Sequence, residues 1–209
     1  MDKILRSILG DRLGIDWKFA TITIISTLLI MADYYYSPTG RNHFDSLILL
    51  ILVPFAVTIL VYRESPGDFG FGLGDRKTGI LLTLLGVLLM TPIIWYLGTR
   101  EIGMRTYYSY AQDGLIWKKA LEIFGWEYLF RGWILFGYAK KFGPDAIWLQ
   151  AVPFAVAHLG KPEVETLSTI FGGFAFGWVA WRTGSFMYSF LIHWFIAILI
   201  ILVSSASLG

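Results

Sequence analysis

The sequence predicts an all-α, polytopic transmembrane helix bundle of about seven spans, and three observations predict it. Apolar residues make up 56% of the chain and charged residues only 15%, against roughly 45–50% and about 25% in a soluble domain. Three early segments, Phe19 to Met31, Leu47 to Val61 and Ile80 to Leu97, carry no charge. With their aromatic flanks they approach the roughly 20 residues that cross hydrocarbon. The basic residues, finally, fall mainly at the ends of apolar runs, where they act as orientation signals.

Taken in order, residues 1–13 place Ile4, Leu5, Ile8, Leu9 and Leu13 at helical spacing, with Lys3, Arg6 and Arg12 elsewhere on the wheel. That pattern suits an N-terminal segment, residues 1–16, lying in the membrane interface. No cleavable signal pattern follows, so the first span is expected to be retained. Spans are predicted over residues 17–36, 45–62, 78–98, 114–140, 144–160, 164–181 and 185–206, which leaves room for a single membrane domain, residues 1–209. Pro54, Pro92 and Pro153 fall inside spans and bend them. The loop Ser65 to Gly79 is rich in glycine but joins two apolar spans. It lacks the strand and helix of a phosphate-binding turn, and a flexible interfacial loop is expected there. Gly173 and Gly177 form a Gly-x-x-x-Gly that lets helix backbones approach.

The charges add orientation and exclude some partners. The N-terminal segment and alternate loops hold nine cations, Lys3, Arg6, Arg12, Arg63, Arg76, Lys77, Lys140, Lys141 and Arg182, against Arg41, Arg100, Arg105 and Lys161 in the opposite set. This bias puts the N-terminus in the cytoplasm and the C-terminus outside, for a multi-pass protein of the cell membrane. A net charge of +2, dispersed along the chain, argues against nucleic acid as a partner. There is no cysteine, which excludes disulfides and thiolate metal sites.

Chemistry concentrates in the fourth span, which carries Lys118, Lys119, Glu122, Glu127 and Arg131 before ending at Lys140 and Lys141. A carboxylate and a guanidinium at mid-span face a protein interior or a wet cavity and need partners. Glu127 and Arg131 are four apart, share a helix face and can pair. Of three histidines, His43 falls in a connection, while His158 and His193 fall in or at the edge of apolar spans. Gln150, Phe154 and His158 recur every four residues and form one stripe. The neighbours of His193 offer it no polar partner. One glutamate and two imidazoles on three helices are the minimum needed to activate water and stabilise an oxyanion, or to hold a metal ion.

The run from Trp126 through Glu127 and Arg131 to Gly132, then Phe154 with His158, then His193, resembles the motif set of the CPBP family of intramembrane proteases. That family includes the type II CAAX prenyl endopeptidases and Abi-like bacterial homologues tied to bacteriocin processing or immunity. Its pattern is Glu-Glu-x-x-x-Arg, Phe-x-x-x-His and His-x-x-x-Asn on successive helices, and the resemblance covers residues 114–200, a catalytic core. It implies a peptidase that attacks with water rather than through a covalent intermediate. Carried onto this chain, it implicates Glu127, His158 and His193 in catalysis, Arg131 as the partner of a carboxylate and Phe154 as a wall of the pocket. Two positions depart from the pattern: Trp126 stands where the first glutamate is expected and Ala197 where the asparagine is. Glu122, four residues before Trp126, points the same way and is a candidate substitute.

The leading expectation is an intramembrane endopeptidase in which Glu127, helped by Glu122, deprotonates a water held by His158 and His193. It acts on a membrane-associated peptide or protein within the lipid bilayer and requires no cofactor. A divalent metal on the same residues is a variant. The rival is a catalytically silent relative that binds a membrane peptide or confers bacteriocin immunity, with Glu127 and Arg131 as a structural pair. A transporter is a third reading, unsupported by any inverted repeat.

Overall fold

A computed structural model describes residues 14–36, 42–109 and 114–206. The predicted interfacial helix over residues 1–13, Arg41 and the His43 side chain lie outside the described set. The described elements are helices joined by turns, with no strand among them, so the predicted all-α fold class holds.

Helix α1 (Trp17–Tyr35) starts where the Asp16 side chain accepts a hydrogen bond from the Phe19 amide at 3.0 Å, satisfying an otherwise orphaned donor. Helix α2 (residues 42–62) is continuous but widens into π-helix over Ile48–Leu52 and Val57–Tyr62, on either side of the segment holding Pro54. A proline inside a helix removes one ladder donor and crowds the preceding turn, and the wide turns adjoin that disturbance. The chain then turns at Arg63, whose φ is 56°. Helix α3 (Arg76–Arg100) and the short α4 (Ile102–Tyr108) follow. Helix α5 (residues 115–142) is the central one, with a π-helical stretch, Tyr128–Ile134, in which all seven residues are buried. Helices α6 (Ala146–Val156), α7 (Glu163–Thr183) and α8 (Met187–Ala206) complete the bundle.

Each predicted span is occupied by a helix, and α4 is an addition. The fifth is shorter than expected: α6 has 11 residues, because the chain leaves the helix after Val156 and turns through Gly160, at φ +91°. By length and composition three of the helices, those over Phe44–Tyr62, Arg76–Arg100 and Met187–Ala206, are long and apolar enough to cross a membrane.

Glycines set the close approaches. A Cβ on Gly173 would lie 3.1 Å from the Ala151 Cα, and one on Gly177 would lie 2.5 Å from the Gln150 amide nitrogen. The predicted Gly-x-x-x-Gly therefore seats α7 on α6. There the Gln150 side chain donates to the carbonyls of Ile147 and Gly173 at 2.8 and 2.7 Å. Helix α3 docks on α8 in the same way, with Gly79 against Tyr188 and Gly86 against Ile192.

The glycine-rich connection, expected as a flexible interfacial loop, is exposed over residues 72–77 but anchored to the bundle at several points. Phe69 is fully buried and stacks with Trp133 at 5.4 Å, beside Tyr62. Tyr188 donates to the Leu73 carbonyl at 2.7 Å, the Asp75 amide donates to the Thr183 carbonyl at 2.8 Å, and Ser185 donates to the Gly72 carbonyl. The aromatic residues interleaved with the glycines drive the segment inward, while the glycines let its backbone touch α5 and the α7–α8 corner. Around this end lie Lys18 and Lys140, both paired with Glu64. Burial pushes the Glu64 carboxyl up, but hydrogen bonds from the two lysines outweigh it and hold the group below the usual carboxylate range.

Candidate active site

Glu127 ends the regular first part of α5 and Arg131 lies one turn on, inside the π-helical stretch. Both side chains are fully buried and pair, Nη1 to Oε1, at 3.0 Å. The pairing is the one their four-residue spacing predicts. The remaining guanidinium nitrogens, Nε and Nη2, make no hydrogen bond in the structure. Aromatic faces hold the charge instead: the Arg131 Cζ lies 3.8 Å from the Phe154 ring centre and 5.1 Å from that of Phe176. Such contacts strengthen when water is excluded.

The same Glu127 Oε1 meets His193 Nδ1 of α8 at 2.6 Å. Since an ionised carboxylate only accepts hydrogen bonds, Nδ1 carries the proton and Nε2 is the nitrogen left for other work. The His193 ring stacks on Phe176 at 5.3 Å. This is the polar partner that the sequence around His193 does not offer; it comes from a helix 66 residues away.

His158 sits in the turn just past α6. Its Nδ1 donates to the Phe154 carbonyl at 2.8 Å, which again leaves Nε2 as the nitrogen that faces elsewhere. Thr166 bonds the His158 carbonyl at 2.9 Å and fixes the turn. The two imidazoles are 6.5 Å apart, centre to centre, and tilted by 32°.

Both histidines line a cavity of about 570 Å³ that runs between α3, α4, α5, α7 and α8. Phe154, Phe176 and Ala197 share its wall, and so do Lys119, Glu122, Lys161, Glu165 and Tyr108. Glu127 is not part of the wall; it lies behind His193. Glu122 is, but its carboxylate is taken by Lys119 at 2.7 and 3.0 Å. Trp126 packs its ring edge-on to His158 at 5.7 Å and fills the place of the family's first carboxylate with an apolar surface.

The structure thus brings together Glu127, Arg131, Phe154, His158 and His193, and leaves Glu122 at the periphery. Sequence reasoning missed Phe176, which touches both His193 and Arg131 and looks like any other apolar residue of its span. It also missed the group in which Tyr108 donates to Glu165 at 2.7 Å and Lys161 to Tyr108 at 2.9 Å. The spacing of Lys161 and Glu165, four apart, was a legible hint. Among the described residues no three His, Asp, Glu or Cys side chains are grouped to hold a metal ion.

The type II CAAX prenyl endopeptidase Rce1-like family matches residues 77–199, which contain every member of this group. No curated protein and no solved structure matches the chain.

Proposed function

Because the chain belongs to the type II CAAX prenyl endopeptidase Rce1-like family, and so to the CPBP proteins, we propose that it hydrolyses a peptide bond of a membrane-associated substrate in the cavity bounded by His158 and His193. The observation that carries this reading is the 2.6 Å bond between Glu127 and His193 at the wall of that cavity. An imidazole anchored through Nδ1 by a buried carboxylate is oriented to take a proton at Nε2, and the carboxylate stabilises the imidazolium that results. In this reading His193 is the base that acts on the water, in place of Glu127, and Glu127 acts through His193.

A water hydrogen-bonded to the Nε2 atoms of His193 and His158 adds its oxygen to the substrate carbonyl carbon as His193 takes its proton. The oxyanion forms beside the new imidazolium, whose charge stabilises it. His193 then returns the proton to the amide nitrogen, the carbon–nitrogen bond breaks, and an acid and an amine leave. Arg131, caged by Phe154 and Phe176, holds Glu127 in place. With the N-terminus in the cytoplasm, as the loop cations favour, the charged end of the cavity opens to the outer side.

The test is cleavage of a fluorogenic membrane-peptide panel by protein reconstituted in liposomes. His193→Ala and His158→Ala are expected to lower the rate by about 10²–10⁴-fold, while Glu163→Gln, exposed at the start of α7, leaves it unchanged. Cleavage at the parent rate by His193→Ala eliminates the mechanism.

One observation favours a silent relative as the second reading: Trp126 covers one edge of His158 where the family carries a carboxylate. Under that reading the cavity binds a membrane peptide without cutting it. Binding with no cleavage by the parent protein, unchanged by Trp126→Glu, supports it.

A further inference from the structure

Two phenylalanine rings, Phe154 and Phe176, border the group formed by Arg131, Glu127 and His193, and they meet it differently. Phe154 turns its face to Arg131, whose Cζ is 3.8 Å from the ring centre, and stands nearly perpendicular to the His193 ring, at 83° and 5.9 Å. Phe176 lies nearly parallel to His193, at 22° and 5.3 Å, with the Arg131 Cζ 5.1 Å from its centre. Phe176 is therefore the ring stacked on the imidazole. Packing fixes that stack from the side. Ser189 and His193 are one turn apart on α8 and share a face. Ser189 is fully buried and donates to the Phe176 carbonyl at 2.7 Å, which pins the register of α8 on α7 beside the two rings.

The charges of the group give the stack a use. At rest Arg131 and the Glu127 carboxylate are paired and cancel. When His193 takes a proton, a second cation bonds the same carboxylate oxygen, Glu127 Oε1, and the buried group becomes positive. Its titratable neighbours do not offset that charge. His158 is another imidazole, and on the cavity wall Glu122 is paired with Lys119 and Glu165 with Lys161. The face of Phe176, which is electron-rich, touches the ring that becomes charged. An aliphatic side chain would fill the same wall, but only an aromatic one presents a negative face to a cation.

We propose that Phe176 is a positioning residue for the hydrolysis: its ring holds the plane of His193 and stabilises the imidazolium that forms as the proton of the water passes to Nε2 and the water oxygen bonds to the substrate carbonyl carbon. The assignment rests on the reading of His193 as the base, and Phe176 acts through that residue. The imidazolium is absent from the resting site and forms in the transition state, so the contact raises kcat rather than substrate affinity.

The experiment replaces Phe176 with phenylalanines carrying one, two and three ring fluorines, introduced by nonsense suppression, and measures kcat and KM on the peptide panel in liposomes. Fluorine draws electron density from the ring face and nearly keeps its shape, so attraction to a cation weakens while packing is held. The expected result is a stepwise fall in kcat, to about tenfold below the parent with three fluorines, while KM changes by less than about twofold. The same series at Phe174, which stacks on Trp148, is expected to leave both constants unchanged. Phe176→Leu is expected to lose at least as much kcat as the trifluorinated ring; should it fail to fold, the fluorinated series carries the test. In a protein that cleaves, a flat kcat across the series, a change confined to KM, or equal losses at Phe174 overturns the role of Phe176 and leaves His193 standing as the base. Failure of the parent to cleave any peptide, or cleavage at the parent rate by His193→Ala, overturns both.

Discussion

At the end of the bundle that gathers Lys18, Glu64 and Lys140, the connection between α2 and α3 folds inward, buries Phe69 and bonds to the corner between α7 and α8. At the opposite end α4, α5 and α7 stand apart, and a cavity of about 570 Å³ descends between them to two histidines. One end spends its glycines and aromatic rings on closure. The other leaves charged side chains paired with one another around an opening. The difference teaches that ion pairs stand at both ends, and that aromatic rings and glycines, not charge, decide which end closes over the core and which keeps a cavity open.

The sharpest way to break the contrast is to unbalance the buried Glu127–Arg131 pair. Glu127→Ala leaves a buried guanidinium without its carboxylate and is expected to cost about 3–5 kcal/mol of folding stability, together with activity. Replacing both partners, as Glu127→Met with Arg131→Met, is expected to return stability to near the parent value and leave activity absent, since apolar pairs of similar volume often substitute without penalty. Denaturation in micelles, set beside peptide cleavage, reads both quantities. Recovery of cleavage in the double variant would remove Glu127 from the chemistry.

The closed end answers to backbone geometry. Gly74 has φ +45°, and a Cβ there would lie 2.0 Å from the Thr183 carbonyl oxygen. Gly74→Ala is expected to destabilise the fold by about 1–3 kcal/mol, with cleavage per folded molecule unchanged. Lower turnover by the folded fraction would show that the two ends are coupled. At the open end Tyr108→Phe removes hydrogen bonds to Glu165 and Lys161. The expected cost is about 0.5–1.5 kcal/mol, read from the same melts.

The smallest effect is a pH dependence at the closed end. The Glu64 carboxyl is depressed by Lys18 and Lys140, so its contribution is fully present above the unfolded carboxylate value of about 4.3. It is lost as pH falls through the lower folded value. Partly exposed ion pairs of this kind contribute at most about 1 kcal/mol. Between neutral pH and acid, the parent protein is expected to lose slightly more stability than Glu64→Gln, as melting temperatures across that range would show.

The positions of the helices could be read from apolar run length, because a lipid-facing segment must be long and uncharged whatever its neighbours do. The Glu127–Arg131 pair was legible for a similarly local reason, a spacing of one turn. What could not be read was anything set by the third dimension. His193 has no polar neighbour in sequence, and its partner arrives only when α8 packs on α5. Glu122 has the right direction to replace Trp126, but the nearby Lys119 claims it. The loop after α2 reads in sequence only as a flexible interfacial connection between two apolar spans; its anchoring depends on Phe69 meeting Trp133, far along the chain.

One consequence follows from how α8 is held. On one side it supplies His193 to Glu127; on the other it is the main support of α3, whose most apolar window is only 6% buried. A helix so largely wetted by acyl chains adjusts its tilt to the thickness of the bilayer, and α8 moves with it. Under the proposed mechanism, the Glu127–His193 distance is thereby tied to lipid length. Turnover in vesicles of graded acyl chain is expected to peak at one thickness and fall on either side.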